Sequence, residues 1–349
     1  MASTSSYPSL SSSPSNLNET GAHLITRGKA LTIIYYCTAP FGLLGNMFVL
    51  IVLGSSSTLR KNRTNKLIMN QSVIDFLGAV FFILTTAIDH DIQGNYAYCV
   101  LWKTKQPFWM LMYSSSLALL FITIERYLAI VHALWYKMKV SDRRMRFSIA
   151  IVWSLGIIYT VPMAVNSCRI NTDGYCSCTW EYSSPIVKRA FGVFIFSVNF
   201  LIPMMVHVVC YIRIFYTLWV HQRNIVHGKD VYKEENAADY LIRHQKMMKN
   251  VVVTLITVTV CFVACWFCNQ FSILLSHFDY HIDFAGDFYH FTVLAVFCNS
   301  CINPIVYMVK YIAFKEQAKK IICWHKKENA AEENSEQTDS ESTYIISDS

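Results

Sequence analysis

The sequence predicts an all-α membrane protein, a bundle of seven transmembrane helices followed by a short amphipathic helix. Three observations support this fold class. The chain of 349 residues is 54% hydrophobic and only 15% charged, with a mean hydropathy of +0.32. Its apolar stretches run almost without pause from Leu31 to Val309, which leaves no room for a water-soluble domain between them. The basic residues are spread through the short segments between these stretches, as membrane topology requires.

Seven windows are long enough to cross about 30 Å of hydrocarbon at about 1.5 Å per residue. They lie near residues 31–54, 66–88, 107–131, 147–165, 190–218, 250–276 and 288–309. The loops on one side are rich in Lys and Arg, whereas the loop near 278–287 has neither and contains Asp279, Asp283 and Asp287. The positive-inside rule therefore predicts an N-terminus outside the cell and a cytosolic C-terminus.

The N-terminal end of the chain is polar. Residues 1–30 are rich in Ser, Pro, Asn and Thr, which predicts a disordered extracellular tail. Asn18 begins an N-glycosylation triplet in that tail. The seven-helix membrane domain then covers residues 31–311.

The C-terminal end divides into two predicted parts. Residues 312–324 alternate apolar and basic residues, as an amphipathic helix on the inner leaflet would. Cys323 is a candidate for palmitoylation, and a free or buried cysteine is the alternative. Residues 325–349 are acidic and rich in Ser and Thr, which predicts a disordered cytoplasmic tail that kinases can phosphorylate.

Polar residues occur inside the apolar windows, where a charged side chain costs at least about 2.5 kcal/mol unless it faces the protein interior. One carboxylate together with amides and hydroxyls at mid-depth suits a small cation such as sodium. The alternative is an interhelical hydrogen-bond network that contains water and no ion. The candidate sodium site consists of Asp75, Ser115, Asn299, Ser300 and Asn303.

Two motifs end the third and seventh windows. The Glu125-Arg126-Tyr127 motif places an acid beside a base at the cytosolic boundary, where a released Arg could contact another protein. In the motif from Asn303 to Tyr307, Pro304 removes a backbone donor and kinks the helix, and Asn303 can satisfy the freed carbonyls.

Together, motifs on consecutive windows resemble the rhodopsin-like G protein-coupled receptors throughout residues 31–324. Several are weak alone, but their order makes the resemblance specific. They are Gly45-Asn46, Asp75, Glu125-Arg126-Tyr127, Trp153, Pro203 with Tyr211, Phe262 with Cys265-Trp266, Asn303-Pro304 to Tyr307, and Phe314.

The resemblance implies roles for individual residues. Arg126 would face the G protein, and Tyr211 and Tyr307 would swing inward on activation. The implied coupling and switch residues are Glu125, Arg126, Tyr127, Tyr211, Asn303, Pro304 and Tyr307, and the implied floor of the ligand pocket is Phe108, Phe262 and Trp266. The family also implies the plasma membrane as location, a heterotrimeric G protein as partner, and arrestin and receptor kinases at the Ser/Thr-rich tail.

The sequence departs from the family's pattern in several places. The sixth window has Cys268 where the family usually has Pro, so a weaker kink is expected. The second window has Gln71 and Ser72 where the family usually shows Leu and Ala. Cys99 lies two residues further from Arg126 than is usual, so the third helix either carries a bulge at its top or begins late.

The family also implies a disulfide from Cys99 to the second outer loop. The partner is ambiguous, because Cys168, Cys176 and Cys178 all lie in that loop. We favour Cys99 with Cys178, which leaves Cys168 with Cys176. The pairing of Cys99 with Cys176 stays open, since connectivity does not follow from sequence.

The sequence restricts the ligand class. No acid occurs between Asp91 and Glu125, which argues against an amine, and no Lys occurs between Asp287 and Val309, which excludes a retinal Schiff base. The Asn299-Ser300-Cys301 motif resembles peptide receptors, and acids in the outer loops would suit a basic peptide. These acids are Asp89, Asp91, Glu181, Asp279, Asp283 and Asp287. A lipid or another small molecule is the alternative ligand.

Other function classes are disfavoured. The sequence shows no internal repeat of the kind that transporters carry, so a multi-span transporter is a distant alternative. His207, His277 and His290 lack metal-ligand spacing and no nucleophile lies beside a base, so no enzyme is predicted. The net charge of +7 is spread over loops, which argues against nucleic-acid binding. Apart from a sodium ion, no cofactor is expected. Because Cys268 stands where the family usually has Pro, a decoy receptor that binds ligand but couples weakly remains an alternative.

Overall fold

The structure, a computed structural model, describes residues 14–87, 95–170, 176–178, 180–227, 235–284 and 286–323. Within these residues seven helices are long and apolar enough to cross a membrane. They are α1 (Pro14–Ser55), α2 (Arg63–Ala87), α3 (Gln106–Val131), α4 (Asp142–Ser167), α5 (Pro185–Phe196 and Ile202–His227, joined by the π-helical turn Ser197–Leu201), α6 (Glu235–His277) and α7 (Asp287–Lys310). A helix over 312–323, called α8, follows. The predicted fold class is confirmed.

Short elements connect these helices. Helical turns cover Ser57–Lys61, Tyr96–Tyr98 and Ala133–Lys139. Between α4 and α5 the strands β1 (Cys168–Ile170) and β2 (Cys176–Cys178) pair antiparallel, with Cys168 opposite Cys178. The loop between α4 and α5 therefore contains a small hairpin at its centre.

The first helix begins earlier than predicted. Residues 14–30 have helical backbone, whereas composition predicts a disordered tail up to residue 30. A helix needs a costly nucleus, but each further residue then adds one hydrogen bond. The apolar segment from Leu31 supplies that nucleus, so the helix extends into the polar segment. Residues 1–13 lie outside the described part of the chain.

The start of α3 accounts for the position of Cys99. The helix begins only at Gln106, and the π-helical turn Cys99–Lys103 precedes it. Such a turn accommodates an extra residue in a helical path. Lys105 then adopts the left-handed conformation, with φ 53°, and interrupts the helix. The two expected alternatives, a bulge and a late start, occur together.

The bundle exposes apolar side chains on its outer surface and buries several polar ones inside. Phe41 and Leu44 are 68% and 67% exposed on the outer surface, whereas Asp75 is 0% exposed inside. Lipid requires this arrangement, because unpaired polar groups are expensive in hydrocarbon. Helix α3 is central and packs against α2, α4 and α5. Helix α1 packs against α2 and α7, and α6 packs against α5 and α7.

Gly192 permits a close approach of α5 to α6. A Cβ atom added at Gly192 would lie 2.4 Å from Cβ of His277. We expect Gly192→Ala to lower the thermal unfolding midpoint of the purified protein, because overpacking costs about 1–3 kcal/mol. Gly54→Ala is the control, since nothing lies within 4 Å of a Cβ atom added there. A Gly192→Ala protein as stable as the wild type would contradict this packing.

Candidate functional site

A cavity of about 380 Å³ opens at the end of the bundle where α3, α5 and α7 begin. Aromatic residues are the largest group in its wall. The aromatic lining residues are Trp109, Tyr113, Tyr159, Trp180, Trp266, Phe284 and Tyr289. Polar groups come from Gln106, Asn199, Gln270 and His277, among others, and no Asp, Glu, Lys or Arg lines the cavity within the described residues.

A chain of hydrogen-bonded polar side chains leads from the cavity wall at α5 and α6 to α7. Asn199 Nδ2 donates to Gln270 Oε1 (3.2 Å), Gln270 Nε2 donates to Asn269 Oδ1 (3.1 Å), and Asn269 Nδ2 donates to Thr292 Oγ1 (3.1 Å). Two buried atoms at the cavity, Asn199 Oδ1 and Trp266 Nε1, have no hydrogen-bond partner within the described residues. An unpaired buried polar group costs about 1–3 kcal/mol, so a ligand that pairs with these side chains gains affinity.

The three residues predicted to form the pocket floor lie at different depths. Trp266 lines the cavity. The ring of Phe262 lies 5.6 Å from that of Trp266, one helical turn further into the bundle. Phe108 is 1% exposed and packs on Phe82 at 5.5 Å, and neither Phe108 nor Phe262 is a lining residue. The sequence places Phe108 on α3 but does not show which side of that helix faces the cavity.

Asp279, one of the acids predicted to receive a basic ligand, is already paired. Its carboxylate lies 2.7 Å from Lys188 Nζ and 3.2 Å from Arg189 Nη2. Hydrogen bonds from these two residues hold the pKa of Asp279 below its usual range. A basic peptide would have to compete with two cations of α5 for this carboxylate. Asp89 and Asp91 lie outside the described residues.

Four of the five candidate sodium-site residues come together. Asp75 Oδ1 accepts hydrogen bonds from Ser115 Oγ (2.7 Å) and Ser300 Oγ (2.9 Å). Its second oxygen, Oδ2, accepts from Asn303 Nδ2 (2.8 Å). Asn299 forms no hydrogen bond with Asp75 in the described part of the chain, and its Oδ1 has no partner there.

Gln71 completes this cluster and was not predicted as part of it. Its Nε2 donates to Asp75 Oδ2 (3.3 Å) and to Ser115 Oγ (2.6 Å). Gln71 lies one helical turn before Asp75, so the two side chains share a face of α2. The four-residue spacing between Gln71 and Asp75 is the sequence signal that could have identified Gln71 as a member of this cluster. The lone pairs of Asp75 face N–H and O–H groups, so in this arrangement the carboxylate offers no free oxygen to a sodium ion.

At the opposite end of the bundle Arg126 is held by Glu125. Arg126 Nε and Nη2 each donate to a carboxylate oxygen of Glu125 at 2.6 Å. Glu125 also accepts from Thr64 Oγ1 (3.0 Å) and from the hydroxyl of Tyr136. Burial and the Glu125 carboxylate raise the pKa of Tyr136 to about 12, so Tyr136 stays a donor at neutral pH. We call this motif closed because Arg126 stays paired with Glu125. The sequence did not predict Thr64 and Tyr136 as partners of Glu125.

The two switch tyrosines are buried and have different environments. Tyr211 Oη lies 3.0 Å from Thr123 Oγ1 and 3.0 Å from Thr259 Oγ1, which links α3, α5 and α6. His207 Nδ1 also lies 3.0 Å from Thr123 Oγ1. The hydroxyl of Tyr307 has no partner within the described residues, so a movement of α7 could provide one.

The predicted modification sites are partly described. Cys99 forms a disulfide, but the side chains of Cys176 and Cys178 lie outside the description, so the pairing stays a prediction. Cys323 is exposed at the end of α8, where palmitoylation also stays a prediction. The side chain of Asn18 and the chain from residue 324 onward are not described.

The seven helices, the cavity and the Glu125–Arg126 pair define a class of membrane receptor. A family described as "7 transmembrane receptor (rhodopsin family)" matches residues 45–307. The chain belongs to this family and is a multi-pass G protein-coupled receptor.

Several curated receptors are similar to this chain. The pyroglutamylated RF-amide peptide receptor of Rattus norvegicus is 28% identical over 81% of this chain and 67% of its own length. Somatostatin receptor type 2 of Sus scrofa is 25% identical over 86% of this chain and 78% of its own. C-C chemokine receptor type 8 of Homo sapiens is 28% identical over 90% of this chain and 84% of its own length.

Proposed function

We propose that this receptor lies in the plasma membrane, binds an extracellular peptide and activates a heterotrimeric G protein in the cytosol. The observation that carries the proposal is that one bundle holds an aromatic cavity at one end and the closed Glu125–Arg126 pair at the other. An agonist that binds better when Arg126 is released shifts the population toward that state. The similar receptors are named for peptides or chemokines, which supports a peptide ligand.

Loop charges support an extracellular N-terminus. Arg63, Lys66 and Arg144 lie at the same end of the bundle as Arg126, whereas Asp279 and Asp283 lie in the loop that leads into α7. Basic loops stay on the cytosolic side of a membrane. Arrestin and receptor kinases are proposed partners of the Ser/Thr-rich tail on that same side.

The cavity suggests which part of the ligand enters it. Because its described lining has no charged residue, the buried part of the ligand should be uncharged. Aromatic walls favour an aromatic side chain, and the amide of Gln270 favours a group that donates and accepts hydrogen bonds. A basic residue of the ligand would stay outside the cavity.

The proposal is tested by screening peptide and small-molecule libraries against the expressed receptor with a promiscuous G protein. We expect activation by a peptide that carries an uncharged aromatic segment. Activation only by lipids or other small molecules would refute the peptide ligand. Binding without nucleotide exchange would identify a decoy receptor and refute coupling.

Gln270→Leu is expected to lower the potency of such an agonist about tenfold, because the change removes the cavity-lining amide with which the proposed ligand forms hydrogen bonds. It removes the acceptor for Asn199 and the donor to Asn269. The half-maximal agonist concentration is measured together with surface expression. Phe288→Ala is the control, since Phe288 is 64% exposed on the outside of α7. Equal potency in wild type and Gln270→Leu would place the ligand elsewhere.

A further inference from the structure

We propose that the side-chain amide of Gln71 takes the position of a monovalent cation beside Asp75, so that sodium ions do not regulate this receptor. The inference concerns the centre of the bundle and depends neither on the ligand nor on the G protein. It reverses the expectation from the sequence that an oxygen-rich cluster around Asp75 holds sodium.

The first argument is the number of donors on the carboxylate. An ionised carboxylate has about four lone-pair sites, and Asp75 accepts four hydrogen bonds. The donors are Ser115, Ser300, Asn303 and Gln71. All five residues are at most 1% exposed, so water does not replace these donors easily. A hard cation needs oxygen lone pairs that point at it, and those of Asp75 are taken.

The second argument is the position of the amide. One Nε2 group of Gln71 donates to Asp75 Oδ2 at 3.3 Å and to Ser115 Oγ at 2.6 Å. It therefore bridges the carboxylate of α2 and the hydroxyl of α3, which are the groups that a cation at this depth would bridge. The positive end of the amide dipole replaces the charge of the ion, and this interaction is stronger in a low-dielectric interior.

The competing arrangement is a flipped amide whose oxygen binds the ion. In the structure Gln71 Oε1 has no hydrogen-bond partner within the described residues, whereas Nε2 makes two bonds. A flip would lose both bonds and direct an oxygen at the carboxylate. The family's usual residue here, Leu, has no donor and would leave a carboxylate lone pair available to a cation.

The test measures the thermal unfolding midpoint of the full-length receptor in lipid nanodiscs, in sodium chloride and in choline chloride of equal ionic strength. We expect equal midpoints for the wild type. Gln71→Leu frees Asp75 and Ser115, and we expect sodium to raise its midpoint by about 3–5 °C in a saturable manner. Gln71→Met, which keeps the length of the side chain without its donors, serves if the Leu variant does not fold.

Two controls locate the effect. Ser72 is the neighbouring residue that also departs from the family's pattern, and its side chain is buried. We expect the Ser72→Ala variant to remain insensitive to sodium, like the wild type. Asp75→Asn added to Gln71→Leu should abolish the gained sensitivity. The inference is overturned if sodium stabilises the wild type and Asp75→Asn removes that effect, or if neither Gln71 variant gains a response.

Discussion

Replacing Glu125 with Gln is expected to raise ligand-independent nucleotide exchange on the G protein about tenfold. Arg126 makes two hydrogen bonds of 2.6 Å to the Glu125 carboxylate, and the Glu125 side chain is 6% exposed. Gln keeps the shape but removes the charge, and hydrogen bonds to charged groups contribute about 1.5–3 kcal/mol. Losing roughly 1.4 kcal/mol multiplies the population with released Arg126 by about ten.

The rate of binding of a GTP analogue to purified G protein, with the receptor in nanodiscs, measures this effect. Arg126→Ala added to Glu125→Gln should return the rate to that seen without receptor, while surface expression persists. Tyr136→Phe is the matched control: it removes one hydrogen bond to Glu125 but leaves the ion pair, so we expect a smaller rise. If the double variant retained the raised rate of nucleotide exchange, Arg126 would not be the residue that couples the receptor to the G protein.

Replacing Cys268 with Pro is expected to raise ligand-independent exchange up to about tenfold and to lower thermal stability. Helix α6 is continuous over Glu235–His277, so a Pro at 268 would remove the hydrogen bond to the carbonyl of Ala264 and clash with it. This costs about 3 kcal/mol in a straight helix. A kink relieves the clash and favours movement of the cytosolic half of α6.

Cys268 is a suitable position because it is exposed on the surface of the bundle. The proline ring would face lipid and leave the core packing intact. Cys268→Ala is the control, since it removes the thiol and keeps the backbone hydrogen bond, and its exchange rate should match the wild type. If Cys268→Pro reaches the cell surface without a rise in exchange, the missing proline does not limit coupling.

The candidate site was only partly predictable. Asp75, Ser115, Ser300 and Asn303 were predicted together because polar side chains in apolar windows must face the bundle interior. The same rule did not select Thr123 or Thr259, since a hydroxyl can bond to a carbonyl of its own helix and stay hidden among apolar neighbours, and Thr64 precedes the second predicted window. The partners of these threonines lie on other helices, so sequence spacing does not reveal them.

The sequence by itself determined the seven membrane helices and the family. The third and fourth windows were the least distinct by hydropathy, and Arg126 and Trp153 identified them by motif order. The apolar, membrane-spanning parts of the helices lie close to the predicted windows, because in lipid every backbone group must find its hydrogen bond within its own helix, whereas α1 and α6 begin well before their windows. The positions of the membrane-spanning segments therefore follow from local sequence.

Only the tertiary structure decided which side chains meet. Trp266 lines the cavity and Phe108 does not. The carboxylate of Asp279 forms an ion pair with Lys188. Gln71, and not Asn299, donates a hydrogen bond to Asp75. Sequence spacing shows which residues share a face of one helix, but the rotation and separation of two helices follow from packing across all their interfaces. A partner 44 residues away, as Ser115 is from Gln71, is therefore set by the assembled bundle.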